Sequence, residues 1–104
     1  MALTKIDEYE VNYSSNKFQP RILLKSGGKF IGQLVFKPNG ANLPQDAIVS
    51  GQVTLYYHLE DFHNTIDLLR NEKPIYLLWA GAGSSDENGI KTNPEAAGKA
   101  DGGW

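Results

Sequence analysis

Lys29-Phe30-Ile31-Gly32-Gln33-Leu34-Val35-Phe36-Lys37 is the stretch on which the reading of the fold turns. In an extended chain successive side chains point to opposite faces. Phe30, Leu34 and Phe36 then share one face, and Ile31 and Val35 the other. Apolar residues on both faces imply a central strand covered from two directions. Gly32 interrupts the pattern, which in a strand signals a bulge, a bend or the close approach of another backbone. Just upstream, Arg21–Lys25 (RILLK) reads as a shorter strand, and Ser26-Gly27-Gly28 is turn chemistry that joins the two as a hairpin.

Working outward, Tyr9, Val11 and Tyr13 alternate with Glu8, Glu10 and Asn12, the pattern of a half-buried strand. Pro38-Asn39-Gly40 closes the central strand. Ile48–His58 (IVSGQVTLYYH) reads as the next one, with a break at Ser50-Gly51. In it Val53, Leu55 and Tyr57 share a face, while Gln52, Thr54, Tyr56 and His58 share the other. At Leu59 the period changes. With ~100° per residue, Leu59, Phe62, Ile66 and Leu69 fall in one stripe, which predicts an amphipathic helix over Leu59–Asn71. Asp61 is the expected N-cap, Arg70 suits the last turn, and Pro74 stops the helix. Ile75–Trp79 (IYLLW), apolar on both faces, reads as an interior last strand.

The expected order is β-β-β-β-α-β, a mainly β fold. Short early connections predict a small, strongly curled antiparallel sheet, or a barrel that resembles SH3-like folds, with one amphipathic helix before the last strand. The alternative is an open α+β roll. The SH3-like resemblance is one of architecture and implies nothing about function. The expected core is Leu34, Leu55, Phe62, Ile66, Leu69 and Leu77.

Residues 1–80 read as one compact β-rich domain. Residues 81–104, rich in Gly, Ala and Ser, read as a flexible tail whose only large apolar residues are Ile90 and Trp104. The 104 residues carry 10 Lys and Arg against 12 Asp and Glu, a net charge of −2 that argues against wrapping nucleic acid. The absence of cysteine excludes disulfides, thiolate zinc sites and a cysteine nucleophile. No apolar run approaches the ~20 residues of a membrane span. No basic-then-apolar leader opens the sequence, so the expected location is cytoplasmic.

Chemistry-bearing residues concentrate at His58-Leu59-Glu60-Asp61-Phe62-His63. The set His58, Glu60, Asp61 and His63 is the one candidate for acid/base catalysis. On a helix His58 and His63 sit ~140° apart and cannot grip one ion together. His63 and Asp67, at i and i+4, are the better two-ligand metal pair. The plain alternative, preferred here, is that these are the wet face of an amphipathic helix, with no catalytic role, no metal and no cofactor. Gly81-Ala82-Gly83 lacks the third glycine and following helix of a dinucleotide fingerprint. Lys17, Arg21, Lys25, Lys29 and Lys37 gather with Phe18 and Phe30, as in single-strand nucleic-acid binders. Lysines on edge strands also keep sheets from aggregating, and that is the reading favoured.

The chain holds four Phe, five Tyr and two Trp. One helix of about three turns cannot cover both faces of the sheet, so aromatic surface is left over for association. Tyr9, Tyr13, Tyr56, Tyr76 and Trp79 are the expected ligand or partner surface. The leading expectation is a non-enzymatic binding or assembly module, self-associating as a homo-oligomer, with a small-molecule or protein ligand open. The alternatives are a small enzyme with its acid/base site around His58–His63 in a barrel mouth or dimer seam, and carbohydrate or single-stranded nucleic-acid binding.

Overall fold

The computed structural model describes residues 2–83 and 85–94. It is mainly β, with one short helix. The strands divide between two sheets. In the smaller, β1 (Ala2–Lys5) and β8 (Gly89–Thr92) flank β7 (Ile75–Trp79), all antiparallel. The larger contains β2 (Glu8–Asn12), β3 (Arg21–Ser26), β4 (Lys29–Lys37), β5 (Ala47–Val49) and β6 (Gln52–His58), in the order β2-β3-β4-β6-β5.

Three features depart from the sequence expectation. First, β4 and β6 are parallel, so the larger sheet is mixed and not purely antiparallel. Ile48–His58 is a hairpin, turning at Ser50 and Gly51, whose φ values of 51° and 79° suit a tight two-residue connection. The chain runs out past its neighbour as β5 and returns as β6, which inserts between β5 and β4. Second, β1 and β8 were not foreseen. β8 lies in the segment read as tail, and the helix therefore precedes the last strand but one. The remainder of that tail, residues 95–104 with Trp104, lies outside the described residues. Third, a bulge alters the faces of β4. Leu24 pairs with Gly32 but Lys25 pairs with Phe30, which leaves Ile31 as the extra residue. Phe30 is thereby turned away from Leu34 and Phe36; it is 40% exposed, with the Lys25 ammonium 4.7 Å from its ring centre, and Ile31 packs on the core instead.

Residues 6 and 7 stitch the sheets together. The Ile6 N–H donates to Ile75 O in the smaller sheet, and the next N–H, of Asp7, donates to Lys25 O in the larger. Between the sheets lies one core: Ile22, Leu24, Leu34, Phe36 and Leu55 from the larger sheet, Ile6, Ile75 and Leu77 from the other side, and Phe62 and Leu69 from the helix. Five of the six expected core residues are buried, and Ile66 is half-buried. The helix begins as a 3-10 turn at Leu59–Asp61 and continues as α1 (Phe62–Asn71). Asp61 stands at the N-cap of α1 but makes no side-chain cap bond. The N-terminal cap comes from elsewhere, since Asn39 Oδ1 accepts the Glu60 N–H at 2.7 Å. The Phe62 ring meets Phe36 edge-on at 4.9 Å, and Phe36 stacks on Tyr57 at 5.7 Å, so the helix seals the Phe36 end of the core.

Gly32 sits where there is no room for a side chain. A Cβ there would lie 2.7 Å from the Val53 carbonyl oxygen and 3.1 Å from Leu77 Cδ2. Gly32→Ala in an ordinary strand position would help stability by reducing unfolded-chain entropy. Here it should cost about 1–3 kcal/mol by overpacking. Urea unfolding decides the sign; a variant as stable as the wild type would show that the approach is looser than described.

Candidate functional site

The acid/base set meets in none of the described cavities. His58 is half-buried with Nε2 2.8 Å from Ala41 O, which ties its ring to the loop after β4. Glu60 and His63 are exposed, and Asp61 is half-buried. None of the four lines any of the three described cavities. Asp67 accepts a hydrogen bond from Asn71 Nδ2 at 2.8 Å, one turn further along the helix. Among the described residues no group of three or more His, Cys, Asp or Glu gathers where it could hold a metal ion.

The five aromatic residues also scatter. Tyr9 packs against the core from β2, and Tyr13 is 64% exposed with its ring 5.3 Å from Phe62. Tyr76 alternates with Ile75 and Leu77, which places it on the outward face of the smaller sheet. Tyr9, Tyr56 and Trp79 each border an opening, and these are three different ones.

Trp79 borders an apolar groove of about 340 Å³ at the end of the sandwich opposite α1. Phe30, Ile31, Ile48, Val53 and Leu77 line it with Trp79, Ala2 and Thr4, and Lys29 is its one charged member. Around the rim Phe30 is 40% exposed, Ile48 54% and the adjoining Val49 55%. The geometry explains the opening. The bulge turns Phe30 outward, and a helix of ten residues spans only ~15 Å, so it covers the Phe36 end alone. The surplus of apolar residues on both faces of residues 29–37 was the sequence signal for this groove. That Ile48 would join it was hidden until β5 was placed at the sheet edge.

Tyr56 borders a polar cavity of about 610 Å³, together with Asp46, Asp86, Asn88 and Leu43. Its wall is a hydrogen-bond network. Asp46 Oδ1 accepts the Tyr56 N–H at 3.1 Å, and Asp46 Oδ2 accepts from Asn88 Nδ2 at 3.1 Å. Asn88 also takes the Ala80 N–H at 2.7 Å and donates to Gly81 O at 2.8 Å. Asp86 Oδ2 accepts the Gly83 N–H at 2.9 Å, and Gln45 Nε2 donates to Ala82 O. The sequence reading missed Asp46 and Asn88, because one looked like loop and the other like tail. The carboxylates leave a negative field that reaches Tyr57 on the next strand position. Burial first, then the charges of Asp46 and Asp61, push its phenol up to about 12.

That shift has a sign for stability. The folded state holds the Tyr57 proton more tightly than the unfolded chain, whose phenol titrates near 10. The stabilisation is therefore complete below pH 10 and is lost as the pH rises from 10 to 12, by about 3 kcal/mol in all. Phenolate absorbance should show one late-titrating tyrosine, and Tyr57→Phe should remove that part of the alkaline loss. Equal slopes for the two proteins would mean that Tyr57 titrates as an ordinary phenol.

Compared with family models, with curated proteins and with solved structures, the chain matches none, and its functional reading rests on its own geometry.

Proposed function

We propose that this protein is a non-enzymatic assembly module that associates with copies of itself through the apolar end of its two-sheet core. The observation that carries the reading is the groove beside Trp79, with Phe30 and Ile48 standing half-exposed at its rim. Contiguous exposed apolar surface marks association sites in small proteins. A symmetric dimer is the commonest way for a chain to cover such a face. The competing acid/base reading has no such support, because His58, Glu60, Asp61 and His63 line none of the three described cavities.

Sedimentation velocity over a concentration series tests the reading. The wild-type protein should move reversibly from monomer to dimer, and Phe30→Glu, at an exposed rim position, should weaken the dimer at least about tenfold. A strict monomer at high concentration removes the reading.

A second reading has its own observation. Tyr56 lines the polar cavity together with Asp46, Asp86 and Asn88, and the Lys37 ammonium lies 5.7 Å from its ring centre. Aromatic stacking with amide and carboxylate hydrogen bonding is the chemistry of a carbohydrate subsite. Titrating simple hexoses against amide NMR spectra should shift residues 44–46 and 86–88, and Tyr56→Ala should abolish the shifts. Spectra that do not move at high sugar concentration dispose of this second site.

A further inference from the structure

The assembly reading leaves open which elements meet, and the edges of the sheets discriminate. Among the described residues four strands have one side unpaired: β1 and β8 in the smaller sheet, β2 and β5 in the larger. An unpaired edge is a template for another strand, and proteins block it with charge. β1 carries Lys5, β8 carries Lys91, and β2 carries Glu8 and Glu10. β5, Ala47-Ile48-Val49, carries no charge, and Ile48 and Val49 are 54% and 55% exposed. The charge next to it in the sequence, Asp46, is half-buried and occupied by the Tyr56 N–H and the Asn88 amide, and Lys29 stands across the groove from Ile48.

Resting on the assembly reading, we propose that β5 is the seam, and that it pairs antiparallel with β5 of a second copy about a two-fold axis near Ile48. The argument for a second copy is charge. Two β5 strands set Ile48 against the partner subunit's Ile48 and Ala47 against the partner subunit's Val49, with no ionic group opposite another. Pairing β5 with any of the other three edges would press Lys5, Lys91, Glu8 or Glu10 against an apolar strand. Ile48 pairs with Val53 and lines the groove, so its side chain lies on the core-facing side of the sheet. The two-fold therefore brings the two grooves side by side. That extension is required, because a three-residue seam alone falls short of the ~1,200 Å² that stable interfaces bury.

The absence of native cysteine makes the test direct. Residues opposed across an antiparallel pair stand ~4.5–5.5 Å apart between Cα atoms, within reach of a disulfide. Ile48→Cys should give a covalent dimer under mild oxidation, whereas Glu10→Cys on β2 should not. Val49→Lys, at an exposed position, should leave the circular dichroism unchanged and weaken association at least about tenfold. If the wild type dimerises while Ile48→Cys stays uncrosslinked and Val49→Lys still dimerises, the seam is wrong and the assembly reading stands. If the wild type is monomeric, the assembly reading and this proposal fall together; if β5 amides respond only to an added alternating Thr-Val peptide, the edge serves a foreign strand and this proposal falls.

Discussion

The filled space at Gly32 constrains most of what surrounds it. Leu77, from the middle of β7, fills the space where a side chain at position 32 would stand, and the Val53 carbonyl of the parallel neighbour closes the same space from the side. Only a residue without a Cβ leaves room there for both the Val53 carbonyl and the Leu77 side chain. Leu77 can then join Leu34, Leu24 and Leu55 in a single core, and the crossing at Ile6-Asp7 can pass from one sheet to the other within two residues. A chain of this size has little apolar surface to spare, and its stability is a small difference of large terms. Close packing of the layers is what makes one core out of two sheets.

The same constraint fixes where the core is closed and where it is open. With the layers in contact at Gly32, the Phe36 end needs a cover, and α1 supplies it through the Phe62 ring between Phe36 and Tyr13. The opposite end receives no helix. There the bulge after Leu24 sends Phe30 outward under the Lys25 ammonium, and Ile31, Ile48 and Trp79 are left around a groove. Phe30, Ile48 and Val49 gather exposed apolar surface at this end, while Val11, Tyr13, Phe18 and Leu68 stand exposed elsewhere.

How far this was legible in the sequence follows from which signals are local. The strands at 21–26, 29–37 and 75–79 and the helix stripe of Phe62 and Leu69 show in periodicity alone, because each element's own side chains record its two faces. Pairing partners leave no such record. Ser50-Gly51 could be read as a break in one strand as easily as a turn between two, and the parallel β4–β6 pairing follows only from the second choice. β1 and β8 are four residues each and contain few β-formers; β7, apolar on both faces, recruits them by its free edges. Phe30 was assigned to the wrong face because a one-residue bulge reverses the alternation beyond it, and only Gly32 hinted at that irregularity. Of the candidate site residues, His58 to His63 were noticed for their chemistry, yet the corner between β6 and α1 points them to separate surroundings. Asp46 and Asn88 were overlooked because their importance lies in each other, 42 positions apart.

That pair links the polar and the apolar features of the molecule. Asp46 sits immediately before β5, where an exposed carboxylate would guard the edge in the way Glu8 and Glu10 guard β2. Instead its two oxygens are taken by the Tyr56 N–H and by Asn88, which also ties down the chain after β7 through Ala80 and Gly81. Satisfying a half-buried carboxylate in this way avoids the cost of burying an unpaired charge. It also withdraws that charge from the edge next to it. Anchoring the 80–88 loop and leaving Ala47–Val49 without a guarding charge are thus two results of one hydrogen-bond arrangement, which is why the polar cavity and the uncharged strand lie on the two sides of a single residue.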